Sequence, residues 1–521
     1  MTGFDEATMV QIGASQPTSS TWLSANAGSG KTKVLTDRVT RLLLEKVDPQ
    51  HILCLTYTKA AASEMQNRLF KRLGTWAMLP DDKLKQELGK LGDATGLTNE
   101  RLSEARRLFA SAIETPGGLK IQTIHSFCSA LLRRFPLEAG VTPNFTEMDD
   151  RAAQLLRAEI IEQMASGKDA PVIHAIARYL TDEDFSKLTE EVVRHRAAFL
   201  AELPEGDLAS LFKIPMGADE ASIEAQVFLG GEADLIASLL PKLEASGPHD
   251  TKAAKKLKTI KNFDLSALPT LESLFLFGSG PRAQLAKIDS FPTKGIRNDM
   301  GADLDALNGF MERVQDARAT RLSLAALRKT AALYDFARAF FPLYETAKQA
   351  RGWLDFDDLI LRTRDLLTVR DVADWVLYKI DGGIDHILVD EAQDTSPPQW
   401  EVIEALAREM SSGQGARNNA ARTLFVVGDK KQSIYSFQGA DAGAFDRMKA
   451  LFEAQLSGTA SGLRDIGMEY SFRSAQLILS LVDKVFESEA ESGFTPDQAH
   501  KAFHTDKPGR VDIWPFVEKP E

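Results

Sequence analysis

Cysteine is nearly missing from this chain: Cys54 and Cys128 are the two in 521 residues. Two thiols without metal-ligand spacing build neither a disulfide framework nor a zinc cluster, and the usage fits a reducing cytoplasm. Long apolar runs are absent too. No stretch approaches the roughly 18 apolar residues of a membrane helix, so no membrane span is expected. The N-terminal MTGFDEATMV lacks the basic region and apolar core of a secretory signal. Positive charge is in deficit: 62 Lys and Arg against 74 Asp and Glu leave a formal net charge of −12. That balance argues mildly against a bulk electrostatic grip on nucleic acid, although binding depends on the local field along a groove. Basic clusters do occur at Lys59, Arg68, Lys71 and Arg72, at Arg133 and Arg134, and between Lys252 and Lys261. Each also reads as a solvated face. What remains is globular, 44% hydrophobic, and too long for one core, so two to four domains are expected.

The opening stretch alternates strand and helix. Thr21 to Ala25 is a short strand leading into a glycine-rich loop, and Lys31 to Glu45 carries Val34, Leu35, Val39, Leu42 and Leu43 at helical spacing. Ile52 to Tyr57 is an apolar strand, and residues 59–72 form a helix. Such strands separated by helices indicate a parallel sheet covered on both faces. After residue 73 the sequence turns charged and helical, with one strand-like return at Ile121 to Ile124. Residues 140–345 are rich in Ala, Leu and Glu, show no fixed repeat, and read as a helical insertion. Alternation resumes with a strand at Ile384 to Val389, a helix at Ser396 to Met410 and a strand at Thr423 to Val427. Ser411 to Asn419 reads as an exposed loop, Ala475 to Phe486 as a helix, and Val511 to Phe516 as a β-like piece disturbed by Pro515. The expected fold class is therefore α/β, a discontinuous parallel-sheet domain interrupted by its own helical insertion. The expected divisions are 1–135 (with a helical excursion near 73–118), 136–345, 346–465 and 466–521.

Three segments carry chemistry. Ala25-Asn26-Ala27-Gly28-Ser29-Gly30-Lys31-Thr32 follows a strand and opens a helix, a Walker-type phosphate loop with Ala25 in the place usually held by Gly. Glycines let the backbone wrap phosphates, and the amides and helix N-terminus supply donors. Lys31 is placed to bridge terminal phosphates and Thr32 to ligate Mg²⁺. Ile387-Leu388-Val389-Asp390-Glu391 is an apolar strand ending in adjacent carboxylates, which suits Asp390 to the metal and Glu391 to accepting a proton from attacking water. After the next strand, Gly428-Asp429-Lys430-Lys431-Gln432 offers a neutral amide to the terminal phosphate or to water. Tyr435 and Phe437 then alternate with Ser436 and Gln438, either as a base-stacking platform or as core rings. Asp355 and Asp358 sit at N-cap and N3 spacing, and helix capping is the favoured role over metal binding. His125 lies between a strand and a helix, open to a nucleic-acid contact or a structural role.

Taken in order, Gln11 to Ala14, AGSGKT (27–32), LTYTKAAASEMQNRL (55–69), QTIHSFC (122–128), DFDDL (355–359), VDEAQDTS (389–396), VGDKKQSIYSFQGAD (427–441) and YSFRS (470–474) resemble superfamily 1A helicases of the UvrD/Rep type. Within them, SANAGSGKT, the long insertion and KQSIYSF are similar to the AddA subunits of bacterial AddAB helicase–nucleases, with RecB-type subunits next. The resemblance implies a RecA-like P-loop NTPase domain, use of ATP and Mg²⁺, and 3′-to-5′ movement on single-stranded DNA. It further implies unwinding of duplex DNA ends, a role in double-strand break processing, and an AddB-like protein partner. It makes Gln11 the adenine-reading glutamine and assigns Ala25, Ala27, Gly28, Ser29, Gly30, Lys31, Thr32 and Asp390 to the nucleotide and its metal. Glu391 remains the base, Gln432 becomes the γ-phosphate sensor, and Arg473 an arginine reaching the same phosphate from a second motor domain. Tyr57, Thr58, His125 and Phe437 match positions lining a single-strand path.

Two departures shape the expectation. Gln438 stands where the family usually has Arg. After Arg473, the later helicase motifs and the clustered carboxylates of an AddA nuclease do not occur before Glu521. The expectation is thus the N-terminal half or less of an AddA-like protein, its second motor domain only begun and its helicase activity poor on its own. A nucleotide-binding interaction protein without motor action is the competing reading. An unrelated P-loop kinase is a third, opposed by Glu391 directly after Asp390 and by Gln432.

Overall fold

The computed structural model describes residues 4–515, apart from 93–96, 117, 181, 201–207, 382, 412–420, 435–438, 460–461 and 488–498. The chain forms two compact units, Met1–Asp149 with Lys348–Glu521, and Asp150–Ala347.

In the first unit the described strands are β1 (Ser20–Ala25), β2 (Ile52–Thr56), β3 (Lys120–Thr123), β4 (Thr146–Glu147), β5 (Trp353–Leu354), β6 (His386–Val389), β7 (Thr423–Gly428), β8 (Leu463–Met468), β9 (Tyr470–Ser471) and β10 (Lys501–Ala502). Among the described residues, six of them make one sheet in the order β3-β2-β6-β7-β1-β8. Every neighbour pair in it is parallel, with Thr56 opposite Thr123, Leu55 opposite Val389, Val389 opposite Val426, Leu23 opposite Val427 and Ala25 opposite Met468. β4 pairs with β5 and β9 with β10.

Successive strand residues point to opposite faces, and here both faces are apolar. Trp22, Leu53, Leu55, Ile387, Val389, Leu424 and Val426 pack with the helices Ile124–Arg134, Phe356–Thr368, Pro397–Ser411 and Ala442–Leu456. Leu23, Ile52, Cys54, Leu388, Phe425 and Val427 pack with Lys31–Leu44, Lys59–Met78, Asp81–Lys90 and Asn99–Glu114. This two-faced burial explains why the central strands read as continuous apolar runs rather than alternating ones. Trp22 is fully buried, with its ring 4.7 Å from Phe445 and stacked 6.0 Å from Trp400. Removing such a side chain costs about 3–5 kcal/mol. Arg38, also buried, donates to Gln16 O at 2.6 Å, Ser19 O at 2.7 Å and Thr423 Oγ1 at 2.9 Å, and lies over the Phe425 ring. It ties the start of β1 to the start of β7.

The capping expected of Asp355 and Asp358 is present. Asp355 Oδ1 accepts from Asp358 N at 2.8 Å and Asp358 Oδ2 from Asp355 N at 3.1 Å, a reciprocal box starting the helix Phe356–Thr368. Both carboxylates also hold Lys348 Nζ, at 2.7 and 2.6 Å, and Lys348 is 1% exposed.

The α/β architecture is the one expected: a parallel sheet of the RecA-like P-loop kind with a large helical insertion. Details differ. The helix read as 59–72 runs on to Met78, because Leu73 and Trp76 continue its buried stripe. β8 is an edge strand that the sequence pattern does not announce, since Arg464, Asp465 and Gly467 are exposed and interrupt any apolar run. No strand forms over 511–515, where Ile513 and Trp514 are about 85% exposed, and Phe516 lies outside the described residues. Ser411 ends the helix Pro397–Ser411, and the remainder of the loop expected at 411–419 lies outside the described residues.

The second unit is helical, from Asp150–Ser166 to the 50-residue helix Ala302–Arg351, whose last turn belongs to the first unit. Its core gathers Leu239, Leu271, Phe275, Leu307, Phe310 and Val314, with Phe275 edge-on to Phe310 at 5.4 Å. Arg321 grips Glu272 with two hydrogen bonds of 2.6 and 2.7 Å.

Candidate functional site

Most of the residues singled out from the sequence follow the carboxyl ends of the parallel strands, where open α/β sheets bind ligands, whereas Gln11 lies on the helix Glu6–Ala14 that precedes β1. The loop 26–30 leaves β1, Asp390 and Glu391 leave β6, and Asp429 to Gln432 leave β7. Tyr57 and Thr58 follow β2, His125 follows β3, and Glu469 to Arg473 follow β8.

The glycine-rich loop needs its glycines. Gly28 has φ 76° and Gly30 φ 92°, the left-handed region that disfavours other residues. A Cβ on Gly28 would meet Arg473 Cβ and Ser471 Oγ at 2.8 Å, and one on Gly30 would meet Gln11 Nε2 at 2.8 Å. Ala25 is buried and Ala27 exposed. Lys31 and Thr32 open the helix Lys31–Leu44.

From Lys31 a continuous polar chain crosses to the next two strand ends. Lys31 Nζ donates to Glu391 Oε2 at 2.7 Å, and Gln393 Nε2 donates to the same oxygen at 2.8 Å. Gln393 Oε1 accepts from Asp429 N at 2.8 Å, and Asp429 Oδ2 accepts from Gln432 Nε2 at 2.6 Å. Glu391 sits at φ 48°, an uncommon conformation for a residue with a side chain, which turns it out of line with β6. Asp390 behind it is 8% exposed, and its Oδ1 accepts from Glu391 N at 3.0 Å. Burial, reinforced by Glu391 and opposed by Lys31, raises the Asp390 pKa to about 6. Burial and Glu391 raise that of Asp394 likewise, to about 6. Two acids next to a third carboxylate are costly to ionise without a nearby cation.

On the other side of the loop a cavity of about 120 Å³ is lined by Ala7, Val10, Gln11, Ser29, Met468 and Phe472 among others. Gln11 Nε2 donates to Ser29 O at 2.9 Å. Tyr470, also on its wall, donates its hydroxyl to Glu6 Oε2 at 2.8 Å. The strand segment after β8 is sewn to the loop: Asn26 N donates to Met468 O at 3.2 Å and Phe472 N to Gly28 O at 2.9 Å. The exposed Arg473 therefore starts beside the cradle.

A triphosphate with a divalent cation fits these residues. Ser29 Oγ is buried with no hydrogen-bond partner among the described residues, Gly28 and Gly30 take left-handed backbone angles, and Asp390 is buried against a second carboxylate. Among the described residues no three His, Cys, Asp or Glu side chains gather as a metal cage. Mg²⁺ is commonly held by one or two protein oxygens and substrate phosphates.

The other expected residues are less gathered. Tyr57 is half-buried, and Thr58 Oγ1 accepts from Ala61 N at 3.1 Å, capping the helix Lys59–Met78. His125 stands edge-on to Phe356 at 5.6 Å, and burial lowers its pKa. Since β2 and β3 are paired, these residues leave neighbouring strands. Phe437, with Tyr435 and Gln438, lies outside the described residues. Sequence reasoning passed over Gln393, the hub of the polar chain, although it sits inside VDEAQD. It also passed over Met468 and Phe472 in the cavity wall; YSFRS contained a signal for the latter.

A family model described as the UvrD/REP helicase N-terminal domain matches residues 8–453. Among curated proteins, an ATP-dependent helicase/nuclease A subunit from Pelotomaculum thermopropionicum is 28% identical over 517 residues, covering 89% of this chain and 37% of that protein. The protein of the same description from Desulforudis audaxviator is 30% identical over 514 residues, covering 89% and 38%. That from Listeria monocytogenes serotype 4a is 26% identical over 507 residues, again covering 89% and 38%. The chain thus spans less than two-fifths of the length of these relatives.

Proposed function

Because the chain belongs to the UvrD/Rep helicase family, a family of ATP-hydrolysing DNA helicases, we propose that it forms the ATP-binding part of a motor moving 3′ to 5′ on single-stranded DNA. The observation that carries this reading is the unbroken chain Lys31–Glu391–Gln393–Asp429–Gln432 at the carboxyl ends of three adjacent strands. Lys31 and the loop amides bind the terminal phosphates, and Gln11 contacts the base. Thr32 and Asp390 hold Mg²⁺, which when bound neutralises phosphate charge. Glu391 takes the proton of the attacking water. Gln432, tied through Asp429 and Gln393 to Glu391, registers the state of the γ-phosphate. Support for Arg473 as a closing donor comes from its place beside the loop, next in sequence to Phe472, whose N donates to Gly28 O at 2.9 Å. A cation that reaches the phosphate only on closure couples nucleotide state to movement.

Tyr57, Thr58, His125 and Phe437 line the strand path in this reading. The similarity to helicase/nuclease A subunits supports action at duplex ends in double-strand break repair and recombination, an AddB-like partner and a cytoplasmic setting. Among the described residues no helix is long and apolar enough to cross a membrane.

The test is ATP affinity of the 521-residue chain with Mg²⁺, measured with and without a single-stranded oligonucleotide. The reading expects the oligonucleotide to shift ATP affinity, because coupling between two sites is reciprocal, and Lys31→Ala to abolish the signal. ATP affinity indifferent to DNA would favour a nucleotide-binding interaction protein.

A further inference from the structure

The amide of Gln11 is fixed at both ends. Its Nε2 donates to Ser29 O at 2.9 Å, and its Oε1 accepts from Lys33 Nζ at 3.0 Å. A carbonyl only accepts and an ammonium only donates, so these two contacts dictate which end of the amide is oxygen. Lys33 is itself a long side chain, 48% exposed, and left alone it would scatter among rotamers. Asp37, one helical turn further on, holds it through Oδ2 at 3.0 Å. Asp37 is 4% exposed, and its other oxygen accepts from Arg72 Nη1 at 2.6 Å, so the helix Lys59–Met78 braces it from behind. A buried carboxylate between two cations is a stiff anchor.

That anchoring bears on which base enters. Adenine presents an N–H donor at N6 beside an acceptor at N7, whereas guanine presents two acceptors, O6 and N7. With one N–H spent on Ser29 and one lone pair on Lys33, Gln11 keeps one donor and one acceptor for the base. Held in a fixed orientation, that pair complements adenine and sets oxygen against oxygen for guanine. A site whose polar groups are matched to one ligand rejects the mismatched one through groups left without hydrogen bonds.

We propose that Asp37 is a positioning residue for base selection, holding Lys33 so that the Gln11 amide stays in the orientation that admits adenine and refuses guanine. The proposal rests on the reading of Gln11 as the base contact. Its reach extends to a residue that neither borders the cavity nor touches the loop 26–30, and it makes Arg72 a second support.

The experiment measures dissociation constants for ATP and GTP, by competition against a fluorescent nucleotide, in the 521-residue chain and three variants. Asp37→Asn lowers the preference for ATP over GTP about tenfold, mainly by weakening ATP. Lys33→Met, at a half-exposed position that leaves Asp37 and Arg72 paired, does the same and keeps the proposal testable where Asp37→Asn does not fold. Gln11→Ala lowers the preference at least as much. If Gln11→Ala loses the preference while Asp37→Asn and Lys33→Met keep it, the positioning role is overturned and the Gln11 reading stands. If all three keep it, both are overturned.

Discussion

In Glu391→Gln the side chain keeps its size and loses the charge that pairs with Lys31 Nζ at 2.7 Å. Two consequences run in opposite directions. Lys31 is largely buried and Glu391 is 35% exposed, so the pair is worth at most about 1 kcal/mol against solvent screening. Phosphates must draw Lys31 away from that carboxylate, so removing the charge tightens ATP binding by up to about fivefold. On the proposed role of Glu391 the hydrolytic step loses its proton acceptor, and losing a positioned base slows such steps by about 10²–10⁴-fold. Gln393 Nε2, which donates to the same oxygen, still finds the amide oxygen of the variant, so the polar chain to Asp429 and Gln432 survives. The assay pairs equilibrium binding of a non-hydrolysable ATP analogue with phosphate release in a single turnover, with DNA present. Binding equal to or tighter than wild type with slowed release is the expected result. Release within about threefold of wild type, well short of the expected range, removes Glu391 as the base. Binding weakened tenfold or more would show that the Lys31–Glu391 contact organises the cradle rather than competing with phosphate.

Three other outcomes follow from particular contacts. Phe437→Ala lowers single-stranded DNA affinity by about 1–3 kcal/mol if the ring stacks on a base, with ATP binding unchanged; fluorescence anisotropy reads it, and unchanged DNA affinity assigns the ring to the core. Lys348→Met removes the cation between Asp355 Oδ2 and Asp358 Oδ2 and costs about 3–5 kcal/mol in urea unfolding. A loss below about 1 kcal/mol, within the range of exposed pairs, contradicts the role given to this buried cluster. Burial, reinforced by Arg38 and His51, lowers the pKa of His386 to about 3, and its Nδ1 lies 2.8 Å from Thr423 Oγ1. The unfolded chain takes up a proton near pH 6.5 that folded His386 refuses, so this contribution is complete above about pH 6.5. It is lost as pH falls toward 3, at up to about 1.4 kcal/mol per pH unit. Urea midpoints at pH 7 and pH 5 should therefore fall further in wild type than in His386→Gln; equal falls contradict the assignment.

How much of this was legible in the sequence depended on how local the cause is. The loop 25–32 declares itself because positive-φ glycines, a strand before and a helix after all fall within a dozen residues. Asp355 and Asp358 were readable as a cap because an N-cap and its N3 partner are three residues apart. Lys348 was not, because its buried contact with the two carboxylates is made by tertiary packing at the end of a 50-residue helix. The link from Lys33 through Asp37 to Arg72 joins residues up to 35 positions apart on two helices, and a row of charges on one helix face gives no hint of it. β8 escaped notice because an edge strand with exposed Arg464 and Asp465 lacks the apolar run of its buried neighbours. The opposite error came at 511–515, where apolar composition suggested a strand but Ile513 and Trp514 stand exposed outside any strand. Gln393 sat in plain view beside Glu391. Its function as a hub becomes visible only when β6 and β7 lie side by side.

The most direct measurement is steady-state ATP turnover by the 521-residue chain as single-stranded DNA is titrated in, with Lys31→Ala alongside. Turnover that rises with DNA and vanishes in Lys31→Ala is the outcome expected if the chain Lys31–Glu391–Gln393–Asp429–Gln432 belongs to a DNA-driven motor. ATP that binds but turns over at one low rate across the whole DNA titration would contradict it.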